Sequence, residues 1–387
     1  MRTPRLAAPA VIGTLALVLV GATSAPAGDW RQDGFDAQHT RFNNVETTLS
    51  RSNVGHLKRA MVTPVVTGSG PVIVAGTAYL SSSSAGDAQA IDTVTGTVRW
   101  TVNACNQGQQ TSAPAFAMGG IWVGLDDPAI VGMRSGSGAT IACPSPGDLF
   151  PTALAAAGRS VYAGGGSGEV VAVDASSGRV RWAVRPHSPV LGASMATPAV
   201  TIDGSALLVG SSNGYVYRLA AATGAVVWAR YLDSCGESAV TVSGSLLYVS
   251  GCNLYALSAA TGSVVWQSTH LGPVITAPAV ANGLVIAGAA GTYAGLAAFD
   301  AATGRRVWSA NEFVQDPPTV ANGVVYVDAE FSLDMFSSDT GALLGRVSTL
   351  SSGYAYQGSP IPVDGRVYLW SDSYLDGTGA RLEAFVP

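Results

Sequence analysis

The chain has 387 residues, 48% of them hydrophobic and only 12% charged, with a formal charge of −5. That is enough apolar material for a sizeable core, and the mildly acidic balance excludes the basic surface of a nucleic-acid or anionic-membrane binder. The 47 glycines and 20 prolines argue against a helical protein and fit many short strands joined by tight turns.

Residues 1–27 read as an export signal. Arg2 and Arg5 precede an apolar run from Leu6 to Val20, and Ala25-Pro26-Ala27 is a small-x-small cleavage site before Gly28. The run is short for a spanning helix, and neither stop-transfer charges nor a lipid-accepting cysteine follows it. The expectation is a secreted protein with no membrane anchor, cleaved near Ala27. Residues 28–56 lack the repeat described next and are expected to form a strap. Residues 57–387 are expected to form the repeat domain.

From residue 92 onward one pattern recurs: a residue that is often Asp (Asp92, Asp174, Asp300), two residues, Thr or Ser, Gly, three residues, Trp. Its tryptophans are Trp100, Trp182, Trp228, Trp266 and Trp308, and the matching glycines are Gly96, Gly178, Gly224, Gly262 and Gly304. Two degenerate copies, at Ser137-Gly138 and Thr340-Gly341, carry Ala142 and Gly345 where the Trp should be. Fixed-period self-similarity of about 40 residues suits four short strands per unit. A tryptophan once per unit is expected to pack between neighbouring units.

A second, independent marker is a Gly-containing turn between apolar strands. It occurs eight times: Ala75-Gly76, Gly119-Gly120, Ala157-Gly158, Asp203-Gly204, Ser243-Gly244, Asn282-Gly283, Asn322-Gly323 and Asp364-Gly365. The Asn-Gly and Asp-Gly pairs favour type I′ hairpins. Each unit therefore reads strand A, Gly turn, strand B, loop, strand C, Thr-Gly turn, and strand D ending at Trp. Proline opens several A strands, as an edge strand tolerates. The eighth unit stops at strand C, Leu382 to Phe385. Its missing strand is expected from Leu57 to Val65, which would close a ring and remove a free sheet edge. The fold expected is all-β: an eight-bladed β-propeller of four-stranded antiparallel blades, closed by an N-terminal strand.

These repeats resemble the PQQ-like repeat of quinoprotein dehydrogenases and of the outer-membrane assembly lipoproteins of Gram-negative bacteria. The segments Asp29-Trp30-Arg31-Gln32-Asp33-Gly34-Phe35-Asp36, Thr40-Arg41-Phe42-Asn43 and Asn53-Val54-Gly55-His56-Leu57-Lys58 are also similar to the quinoprotein N-terminus. The resemblance implies eight blades. In the enzymes it further implies pyrroloquinoline quinone on one face of the ring, Ca²⁺ held by carboxylates and an Asn, an Asp base and a vicinal cysteine pair. No two cysteines are adjacent in this chain, and no haem-attachment motif is present.

Topology puts the D–A and B–C loops at one end of the ring and the A–B and C–D turns at the other. Cys105 and Cys143 then share an end, as do Cys235 and Cys252, and two disulfides are expected in an exported chain. The same end collects Arg185, His187, Glu237, His270, Asp316, Asp328, Glu330, Tyr354 and Gln357, the candidate ligand-binding residues. Asp328 and Glu330, two apart on a strand, could form a metal or acid/base pair. Gly210-Ser211-Ser212-Asn213-Gly214 matches a hydrolase nucleophile motif but precedes a strand, where that motif needs a helix. The functional expectation is a secreted, non-catalytic scaffold that binds a protein, glycan or small molecule. The alternative is a PQQ- and Ca-dependent oxidoreductase acting on alcohols or sugars.

Overall fold

The computed structural model describes residues 28–387 apart from 67, 83–86, 104, 106–111, 126–128, 147–150, 187–193, 234–238, 269–275, 290–294, 315, 330, 350–355 and 374–378. Eight antiparallel sheets form the blades of a ring. Blade 1 has strands A to D at Gly68–Val74, Thr77–Ser82, Asp87–Asp92 and Val98–Asn103. Blades 2 to 7 repeat the pattern, with A strands opening at Ala115, Pro151, Ala199, Val240, Ala279 and Thr319. Blade 8 combines Ile361–Val363, Arg366–Ser373 and Gly379–Val386 with a fourth strand, Lys58–Pro64, from the other end of the chain. The borrowed strand runs antiparallel to its neighbour, from Lys58 opposite Val386 to Pro64 opposite Arg381. Arg59 on this strand reaches the fully buried carboxylate of Glu383.

Eight hydrophobic clusters lie between successive blades. The repeat explains how each joint is built. The indole N–H of Trp100, Trp182, Trp228, Trp266 and Trp308 donates to a backbone carbonyl of the following blade, at Ser135, Ala221, Ala259, Ala301 and Ser338. The next blade's Thr-Gly turn lies on the ring face: a Cβ at Gly304 would sit 2.6 Å from the Trp266 ring. The tryptophan does not end its strand, as the sequence suggested. It is the third residue, and a register shift just before it turns its ring out of the blade.

The two joints that lack this tryptophan are filled differently. At Ala142, the indole of Trp122 in strand B of blade 2 is fully buried and joins the cluster shared with blade 3. At Gly345, the one-turn 3₁₀ helix Val54–His56 crosses strand D of blade 7. A Cβ at Gly345 would lie 2.7 Å from the Cα of Gly55. A side chain there would collide with the passing backbone.

The A–B turns divide into classes. Ala75-Gly76, Asn282-Gly283, Asn322-Gly323 and Asp364-Gly365 have both residues at positive φ, as type I′ requires. The turn assigned to Gly119-Gly120 falls one residue earlier, on Met118-Gly119, and Gly120 opens strand B. At Gly158 and Gly244 the glycine is the first turn residue, because Ala157 and Ser243 still belong to strand A. Asp203-Gly204 sits in a longer loop, where the Asp203 carboxylate accepts from the Thr201 hydroxyl and the Ser205 N–H. That local hydrogen bonding competes with the two-residue turn.

Residues 29–43 do more than cross the ring: they thread its centre and bond to the innermost strand of every blade in turn. Trp30 exchanges two backbone hydrogen bonds with Ile73 of blade 1, at 2.6 and 2.8 Å. Phe116 N–H of blade 2 donates to the Arg31 carbonyl, and Ala156 N–H of blade 3 to Gln32 Oε1. Val200, Val242, Val280 and Val320, from blades 4 to 7, donate to the carbonyls of Ala37, Gln38, Thr40 and Arg41. Asn43 Nδ2 donates to the Pro362 carbonyl of blade 8 at 2.9 Å. The eight inner edges would otherwise present unpaired backbone to the channel, and the strap satisfies them.

Candidate functional site

The strap leaves the channel closed but not flush. At its D–A end remains a cavity of about 210 Å³. Its polar wall is Asp33 and Arg41 from the strap, Asp316 from the blade 6–7 connection and Ser359 from blade 8. Its apolar lining includes Trp30 from the strap and Pro71, Pro317 and Ile361, each just before or within an innermost strand.

Arg41 organises the polar wall. Its residue is 4% exposed. Two guanidinium nitrogens meet the two oxygens of Asp33 at 3.2 and 2.8 Å, and Nη1 reaches Ser359 Oγ at 3.3 Å. This two-pronged pair is the strong form of a charge-assisted hydrogen bond. Burial works against ionised Asp33, but the Arg41 charge, its hydrogen bonds and the Gly34 N–H together outweigh it and hold the carboxyl below its usual range. Asp316 differs: no hydrogen bond or ion pair joins it to the described residues. Burial pushes its pKa up to about 7, with Arg41 opposing and Asp33 adding to the rise. His39, buried beneath, is held neutral: burial lowers it to about 4.

Of the residues expected on this face that are described, Asp316 lines the cavity. Arg185 lies on the rim, paired with Glu169 at 3.2 Å. Asp328 ends strand B of blade 7 and is 2% exposed. Gln357 pairs with Ser371 through its backbone in blade 8. His187, Glu237, His270, Glu330 and Tyr354 lie outside the described residues, so the Asp328–Glu330 pair does too. Trp30, Asp33 and Arg41 were not among the sequence candidates. The signal for them was an acid and a base eight apart in the only long segment without the repeat.

Cys105 and Cys143 form a disulfide across adjacent D–A connections, with Cα atoms 6.4 Å apart. Cys252 is also disulfide-bonded; Cys235, its expected partner, lies outside the described residues. The Gly210–Gly214 string is a tight link between strands B and C of blade 4, and Ser212 Oγ accepts from the Ser194 N–H.

The implied quinone and Ca²⁺ can be tested against this wall. The cavity falls below the roughly 300 Å³ at which ligand pockets begin. The Asp33 carboxylate is already neutralised by the Arg41 guanidinium. Among the described residues no three His, Cys, Asp or Glu side chains converge as metal ligands. The described residues therefore do not fit the pair.

A family model described as outer membrane protein assembly factor BamB matches residues 146–251 and 212–324. The outer membrane protein assembly factor BamB of Yersinia pestis is 29% identical over 245 residues, covering 56% of this chain and 59% of that protein. The match thus spans less than two thirds of that relative's length. The structure of BamB from Moraxella catarrhalis superposes with a TM-score of 0.67 at 19% identity, covering 86% of this chain and 100% of that one. The quinohemoprotein alcohol dehydrogenase of Comamonas testosteroni superposes with a TM-score of 0.74 at 16% identity, covering 94% and 81%. At such identities the two structures establish the fold alone. The chain is an eight-bladed β-propeller, similar in part of its sequence to an assembly factor and in fold to that factor and to a quinohemoprotein dehydrogenase.

Proposed function

We propose that this protein is an extracytoplasmic, non-catalytic propeller scaffold that binds a partner over its D–A/B–C face. Residues 1–27 serve as a removable export signal, 28–56 as the strap and 57–387 as the ring. The observation that carries the reading is the filled channel. The chain's own N-terminal segment occupies the ring centre, and the space left at the mouth suits a side chain better than a cofactor. Likeness to an assembly factor supports a protein partner over a glycan or small ligand.

The test is photocrosslinking in the native host. A crosslinker at Phe313, 44% exposed beside the blade 6–7 connection, samples the D–A face; one at Ile202, 70% exposed in an A–B loop, samples the other. The scaffold reading expects one discrete adduct from position 313 and none from 202. Adducts from 202 alone, or from neither, refute it. The oxidoreductase alternative is tested by adding PQQ and Ca²⁺ to the purified protein. Alcohol- or sugar-dependent dye reduction would overturn the non-catalytic assignment.

A further inference from the structure

The cavity at the channel mouth allows the scaffold reading, on which this inference rests, to be carried to the chemistry of the docking group. Asp33 and Arg41 cancel one another through their two-pronged contact. Asp316 is left as a carboxylate that opens into the cavity with no cation or donor of its own among the described residues. The lining also includes the apolar residues Trp30, Pro71, Pro317 and Ile361. A small cavity with apolar lining and one carboxyl that has no hydrogen bond or ion pair among the described residues matches a side chain with an apolar stem and a cationic head.

We propose that the channel mouth receives one basic side chain, a lysine or arginine, from the protein that docks on the D–A/B–C face, its cation meeting Asp316 and its stem lying along Trp30, Pro71, Pro317 and Ile361. Charge complementarity selects this occupant. An acidic side chain would face two carboxylates across a guanidinium already engaged. A neutral apolar one would leave Asp316 desolvated without a partner. The cavity holds a single side chain: it binds that side chain weakly by itself and supplies register and specificity to the docked partner.

The charged groups facing Asp316 are Arg41 and Asp33, both from the strap. With its carboxyl protonated up to about pH 7, capture of a cation displaces a proton, and binding strengthens as pH rises through that value.

The experiment titrates the purified protein with acetyl-Gly-Lys-Gly-amide and with its norleucine counterpart, following assigned Trp30 and Ile361 resonances. Saturable shifts are expected with the lysine peptide at pH 8. Binding should be about tenfold weaker at pH 6, and absent with norleucine or in Asp316→Asn, whose fold is checked by its unfolding midpoint. Equal binding of the norleucine peptide, unchanged binding in Asp316→Asn, or no saturable shift would overturn the proposal. Adducts from position 313 without lysine-peptide binding would sink this inference and leave the scaffold reading standing; loss of both would sink the two together.

Discussion

Replacing Gly304 and Gly283 separately by alanine tests how the blades are joined. Both glycines sit at positive φ, +70° and +78°, so each substitution forces alanine into the left-handed region at about 1–2 kcal/mol. They differ in what the new methyl group meets. At Gly283 there is nothing within 4 Å; at Gly304 the Cβ would lie 2.6 Å from two carbons of the Trp266 indole. That ring is 8% exposed and hydrogen-bonded to Ala301, so it cannot swing away without losing a buried contact. Overpacking of this kind costs a further 1–3 kcal/mol, for about 2–5 in all at Gly304. Urea unfolding followed by tryptophan fluorescence measures both variants. Truncating Trp266 to alanine should shrink the Gly304 penalty towards that of Gly283, which a double-mutant cycle reads as coupling. Equal costs at the two glycines, or no coupling to Trp266, would refute the claim that the Thr-Gly turn is shaped by the preceding blade's tryptophan.

Trp30→Ala should destabilise by about 3–5 kcal/mol in the same assay, since the indole is 2% exposed within the blade 8–blade 1 cluster. Arg59→Ala removes one ion-pair partner of the buried Glu383 carboxylate; because Arg59 is partly exposed, about 1–3 kcal/mol is expected, and Glu383→Gln in the Arg59→Ala background should recover part of it. Converting Cys105 and Cys143 to serine should cost about 2–4 kcal/mol, and non-reducing peptide mapping of the parent should recover the two cysteines in one linked peptide. Two opposed contributions to the pH profile come from the channel. Asp316, raised in the folded state from 3.8 to about 7, makes the native protein bind the extra proton, so stability falls as pH rises between those values. His39, lowered from 6.5 to about 4, makes stability rise across its own window. Asp316→Asn should therefore leave a profile that rises from pH 4 to 6.5 and then flattens; a continued fall near pH 7 would exclude Asp316 as its source.

Blade number, strand order and ring closure were legible in the residues because they rest on local chemistry repeated many times. A Thr-Gly turn needs positive φ wherever it occurs, and eight Gly turns can be counted without knowing what surrounds them. The odd strand Lys58–Pro64 was legible because the eighth unit visibly lacked one. The candidate site was legible only at Asp316. The face assignment brought that residue to the right end of the ring, but polar residues on a rim look alike in sequence whether they pair on the surface, as Arg185 does with Glu169, or line a cavity.

What the sequence determined by itself was thus the architecture, through short-range turn geometry and strand periodicity. The tertiary structure decided the course of residues 29–43, because their hydrogen bonds go to inner strands up to 319 residues away and follow no local pattern. It also decided why Ala142 and Gly345 break the repeat, since the space a tryptophan would fill is set by neighbouring elements. The charge state of Asp316 belongs to the same class: it depends on burial and on Asp33 and Arg41, distant along the chain and adjacent only once the strap lies in the channel.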